Sequence, residues 1–136
     1  MSMLRIKPET ISVLRNFIGL IAGVLLHYLL LISSSRLAWF LIVERRKMVY
    51  KDAVINWMLW RTFAIDPVVA VVVGVVVAIL VRRSYWWLGG VATLPLFIYG
   101  LVRGADRIEI GSFVVYMLLA SACAFAVSRF KRMRTA

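Results

Sequence analysis

The chain has 136 residues, 63% of them hydrophobic, which is more apolar side chain than a soluble domain of this size can hide, since small domains have a high surface-to-volume ratio. Seventeen Lys and Arg against six Asp and Glu give a net charge of +11. A nucleic-acid binder would spread that charge over a hydrated face, whereas here it stands in clusters between long apolar runs, the composition of a chain partly solvated by lipid.

The first apolar run is NFIGLIAGVLLHYLLLISSS, residues 16–35, between Arg15 and Arg36. It has the roughly 20 residues a helix needs to cross about 30 Å of hydrocarbon. Arg5, Lys7 and Arg15 ahead of it, and Ser33, Ser34 and Ser35 at its end, also fit a signal peptide. It is expected to stay in place as an uncleaved anchor.

Residues 37–64 hold a short apolar piece, a charged knot at Glu44-Arg45-Arg46-Lys47, and an aromatic stretch with Trp57, Trp60 and Phe63. Trp beside Arg and Lys is typical of the headgroup zone. The segment reads as a helical hairpin, or as an interfacial or re-entrant helix. Lys51, Asp52, Asn56 and Arg61 do not share one helical face, so a simple surface helix fits poorly and a cover from another helix or subunit fits better.

Residues 66–82 form the second run, and the stretch around it, IDPVVAVVVGVVVAILVRR, carries nine valines. A strand in lipid would leave its backbone groups unpaired, and a barrel strand would alternate apolar with polar; this run does neither. Asp66 before Pro67 reads as a helix start with a capping carboxylate. From Pro67 to Val81 the helix would rise only about 22 Å. Either the bilayer thins around Arg82 and Arg83, or the helix extends backward through Phe63 and Trp60 with a kink at Pro67.

The third run, SYWWLGGVATLPLFIYGLV at 84–102, contains a proline expected to kink it at Pro95. A short mixed-charge turn, Arg103 to Glu109, leads to the fourth run, IGSFVVYMLLASACAFAVS at 110–128, closed by Arg129, Lys131, Arg132 and Arg134. The expected fold is an all-α polytopic integral membrane protein, a single domain over 1–136. It has four transmembrane helices and an interfacial or re-entrant segment between the first two.

Four spans put both termini on one side with Arg5, Lys7, Arg15, Arg82, Arg83, Arg129, Lys131, Arg132 and Arg134. The other side holds Arg36, Arg45, Arg46, Lys47, Lys51, Arg61, Arg103 and Arg107. That slight excess favours cytoplasmic termini in a plasma (inner) membrane by the positive-inside rule, and the near balance leaves dual insertion open.

No Asp, Glu, Lys or Arg stands inside these four spans away from their ends, although membrane transport usually needs one. His27 is the titratable side chain well inside a span. A haem would require a second axial ligand, and the chain has one histidine, so His27 reads as bonded to a neighbouring helix. No cofactor, metal site or catalytic grouping is expected, and Cys123 reads as a small packing residue.

Small residues form the more informative pattern. Gly19 and Gly23 make a GxxxG in the first span; Ala70, Gly74 and Ala78 recur every fourth residue in the valine helix; Ala120, Ala124 and Ser128 repeat the spacing in the last. Such faces let helix backbones approach closely in lipid. They suit a non-catalytic accessory or assembly subunit of a larger membrane complex, its partners being other membrane subunits or itself, with anionic headgroups near the basic clusters and no nucleic acid. The alternative is a small homo-oligomeric transporter or channel: the layout is similar to that of dual-topology exporters, but those depend on an embedded acid. A holin-like pore is a third reading, suggested by small size and the basic tail SRFKRMRTA.

Overall fold

The computed structural model describes residues 8–44 and 50–134, all helix, turn or connection, with no strand among them. Of the sequence features named above, Arg5, Lys7, Arg45, Arg46 and Lys47 lie outside the described residues.

Three helices are long and apolar enough to cross a membrane: Pro8–Glu44, Lys51–Leu80 and Arg107–Met133. The first comprises α1, Pro8–Trp39, and a wider π turn at Phe40–Glu44. The second comprises α2, Tyr50–Trp60, a π turn at Arg61–Ile65, and α3, Asp66–Leu80. The valine run is therefore the inner half of a longer helix, the backward extension through Trp60 and Phe63. Pro67 has no N–H to give and its ring crowds the carbonyl four residues back. The helix accommodates it by opening the turn before it, where the Asp66 N–H bonds Arg61 O five residues back.

Residues 84–102 do not form one helix. A short turn at Arg83–Tyr85 leads into α4, Leu88–Val91, and α5, Leu94–Val102, with the break at Ala92–Thr93 and Pro95 in the first turn of α5. Pro95 thus starts a helix rather than kinking one. The Thr93 hydroxyl donates to Gly90 O at 2.7 Å, the same carbonyl that accepts the Thr93 N–H at 3.0 Å. A tight turn with Gly104 at φ +83°, where a side chain would be strained, leads into α6, Arg107–Arg134. Asp106 and Glu109 cap α6 reciprocally: the Glu109 N–H donates to Asp106 Oδ1 at 2.8 Å and the Asp106 N–H to Glu109 Oε2 at 3.3 Å.

α1 runs antiparallel to α3, with Gly19 beside Val81 and Gly23 beside Val77, and α6 runs parallel to α3, with Ala120 beside Gly74. The α4–α5 segment returns antiparallel along α6, from Gly89 at Ala124 to Gly100 at Phe113. The core lies on α3, where Val69, Val73, Val77 and Val81 pack with Leu88 and Ala92. Beyond the level of Arg61, α2 and the outer end of α1 continue as a two-helix hairpin. It is held by Trp39 edge-on to Trp57 at 5.8 Å and by the Trp57 Nε1–H donating to Ser35 O at 3.4 Å. Residues 37–44 and 50–64 are thus the outer ends of two long helices rather than a separate helix.

Candidate functional site

The small residues meet one another inside the chain. A β-carbon at Gly19 would stand 2.6 Å from Val81 Cγ1, and one at Gly23 would overlap the Val77 side chain. At Gly74 it would run into the carbonyl of Ala120. Ala70, Ala78, Ala120 and Ala124 are buried to 2% exposure or less. The seams at Gly19, Gly23, Ala70, Gly74, Ala78, Ala120 and Ala124 are therefore filled by neighbouring helices of the same molecule. Two glycines not assigned to a seam in the sequence join them. Gly89 lies against Ala124 and Ala120, and Gly90 against Ser121 and Met117, so the broken α4 can nest on α6. The signal was present as a Gly-Gly pair, but without helical spacing.

The second feature is polar, and the four-span reading of the sequence placed it at a helix start. Arg61 and Asp66 stand at the two ends of the π turn, within the 30-residue helix Lys51–Leu80. Asp66 makes no side-chain cap. Its carboxylate lies 3.8 Å from Arg61 Nε, with the Asp66 side chain 13% exposed and that of Arg61 41%. That separation makes an ion pair but is too long for a hydrogen bond, and Asp66 Oδ1 is buried without a hydrogen-bond partner. Tyr116 of α6 donates its hydroxyl to Thr62 O inside the same turn. The guanidinium of Arg61 also lies over the Trp57 ring, 5.5 Å from its centroid. By the helix registers, Asp66 is level with Ser34 of α1 and Ser112 of α6. The helix does not begin at Asp66, so the acid stands within a continuous helix rather than at its start. Wide turns in helices often mark functional positions, and an ionisable residue within an apolar helix is a functional candidate by default.

His27 is buried to 8% exposure on α1, beside Ala92 at the α4–α5 break, and its Nδ1 is buried without a hydrogen-bond partner. It forms one wall of an apolar groove of about 410 Å³ with Val24, Tyr28, Pro95, Leu96 and Tyr99 among its other walls. Cys123 is half-buried on α6. Among the described residues no three His, Cys, Asp or Glu side chains gather as metal ligands would.

Long apolar helices packed through glycine and alanine, with an ion pair set into one of them, define an all-helical membrane protein. No protein-family model, curated protein or solved structure matches the chain, so the reading of its function rests on this geometry.

Proposed function

We propose that the chain crosses a plasma (inner) membrane four times, with both termini cytoplasmic, and acts as a non-catalytic accessory or assembly subunit of a larger membrane complex. The dimensions support four passes. From Leu80 to Arg61 the helix rises about 28 Å, close to one hydrocarbon thickness. Arg15, Arg82 and Lys131 lie at one limit, and Arg36, Arg61, Arg103 and Arg107 at the other. The α4–α5 segment, about 22 Å long from Leu88 to Val102, covers most of that depth, with Tyr85, Trp86 and Trp87 before it as interfacial anchors.

The single observation that carries the subunit reading is the hairpin. α2 extends about 16 Å past Arg61, outside that hydrocarbon layer, yet Leu37, Phe40, Leu41, Ile55, Met58, Leu59 and Trp60 on the hairpin are all at least 41% exposed. Exposed apolar residues gathered on a hairpin beyond the hydrocarbon call for a protein cover. The small-residue seams, already filled within the chain, support a compact bundle that presents this hairpin; they are not the partner surface. Extraction from the native membrane in mild detergent, followed by native mass determination, tests the proposal. A stoichiometric set of other proteins is expected, and a homo-oligomer without companions overturns it.

A second reading, a small homo-oligomeric and possibly dual-topology transporter, is favoured by the Arg61–Asp66 pair. This pair supplies the embedded acid whose apparent absence from the four spans weighed against transport.

A further inference from the structure

The π turn at Arg61–Ile65 joins two halves of one helix whose surroundings differ. α3 is fixed in the bundle by Val69, Ala70, Val73, Gly74, Val77 and Ala78, all buried. On α2, Ile55, Met58, Leu59 and Trp60 are at least 50% exposed. By the register of Ala120 on Gly74, α6 begins level with Arg61 and does not follow α2 outward. α1 passes that level as unbroken α-helix, so α2 is the half that can turn about the junction.

The wide turn leaves Thr62 O without a backbone donor. In its register the Asp66 N–H goes to Arg61 O, one residue further back than an α-helix would take it. The next bond of that register would run from residue 67 to Thr62 O, but residue 67 is proline and has no N–H. Tyr116 of α6 supplies the donor instead, its hydroxyl bonding Thr62 O. A helical side chain leans toward the N-terminus of its own helix, which for α6 is the end where the turn lies. The Tyr116 ring packs beside Ala70 and Ala120 and is 9% exposed, which holds the hydroxyl in place.

An ordinary α turn would satisfy the same oxygen from within. Thr62 stands four residues before Asp66, so Thr62 O is the acceptor that the Asp66 N–H takes in α register. The Tyr116 hydroxyl and the Asp66 N–H are thus alternative donors to one carbonyl. In α register the Pro67 ring crowds the Phe63 carbonyl, which makes the wide turn the resting state and the α turn a minor one. We infer that Tyr116 is a latch on a two-register switch: its bond to Thr62 O holds the wide turn, and its release lets the turn close. Closing removes one residue from the wide register, which turns α2 by about 100° against α3 and moves it about 1.5 Å along the axis. The face that the hairpin presents is set in this way from α6. The latch depends on these hydrogen bonds alone; the subunit reading adds a use for it, because the hairpin is the docking surface in that reading.

The test is a spin-label distance measurement on the purified full-length chain in detergent, without partners. Cys123→Ser removes the native thiol, and Leu29→Cys on α1 and Ile55→Cys on α2 carry the labels, both positions being at least half exposed. One distance is expected with Tyr116 in place. Tyr116→Phe keeps the ring on Ala70 and Ala120 and removes only the donor. A second distance displaced by roughly 5 Å is then expected, its population relative to the first raised about tenfold. Adding Pro67→Ala removes the crowding in α register, and the second distance is expected to dominate. Tyr99→Phe, which changes an exposed residue on α5, leaves the single distance as it was. Circular dichroism checks the fold of each variant. A distribution that stays the same in Tyr116→Phe and in the double variant overturns the latch. Broadening with no second distance overturns the second register.

Discussion

Gly74 lies so close to Ala120 that a β-carbon on it would overlap the Ala120 carbonyl oxygen. The obstacle is backbone on a facing helix, which no rotamer change can move aside. Gly74→Leu is therefore expected to separate α3 from α6 and to cost more than the roughly 1–3 kcal/mol usual for overpacking. Gly111, also in α6, has nothing within 4 Å of the corresponding position. Gly111→Ala should stabilise the protein by about 0.5–1 kcal/mol, the difference in helix propensity. Thermal unfolding in detergent measures both, and a Gly74→Leu protein that melts like wild type would refute the seam.

The helical class and the packing faces were legible in the sequence because both follow from periodicity. Gly19 and Gly23, or Ala70, Gly74 and Ala78, recur at the spacing that sets residues on one face of a helix. The extent of the second helix was only partly legible. Asp66-Pro67 carries the same letters whether a helix starts there or runs through, and what decides is the π turn at Arg61–Ile65, which takes up the proline and receives the Tyr116 hydroxyl on Thr62 O. The misplaced start also concealed the Arg61–Asp66 pair. Asp106 and Glu109, by contrast, carried a readable signal. An acid three residues before another, just ahead of an apolar run, is a capping pattern, and the reading as a short mixed-charge turn passed over it.

That cap gives a prediction of its own. Asp106→Ala removes the acceptor for the Glu109 N–H and should destabilise the start of α6 by about 1 kcal/mol. Gly104→Ala forces a side chain into the left-handed conformation at φ +83° and should cost about 1–2 kcal/mol. The two sites adjoin, so the double variant is expected to depart from additivity. Chemical denaturation of the four proteins measures the cycle.

Asp66→Asn separates the two functional readings. Asn keeps the size and shape of the Asp66 side chain and removes a carboxylate whose Oδ1 is buried without a hydrogen-bond partner, so the variant should fold. If the chain is a transporter, Asp66→Asn abolishes coupled flux in liposomes and Arg61→Lys reduces it. If it is an accessory subunit, both variants assemble with partners as wild type does. Flux by the wild-type protein alone, lost in Asp66→Asn, would move the conclusion to transport.

The hairpin carries the subunit reading, and its exposed residues can be changed without disturbing the bundle. Leu41 and Leu59 are 41% and 50% exposed and lie beyond the level of Arg61, while Trp39 and Trp57, which hold the hairpin together, stay in place. The double variant Leu41→Ser/Leu59→Ser should insert, fold and melt like wild type yet lose its companions on native gels. A loss of about 1 kcal/mol at each leucine would together weaken assembly about thirtyfold. Trp57→Ala makes a useful contrast. It removes the contact with Trp39 and the bond to Ser35 O, so it should loosen the hairpin and lower its thermal stability as well as its assembly. A serine double variant that still carries a full set of partners would mean that the partners bind elsewhere and that the apolar hairpin is not the docking surface.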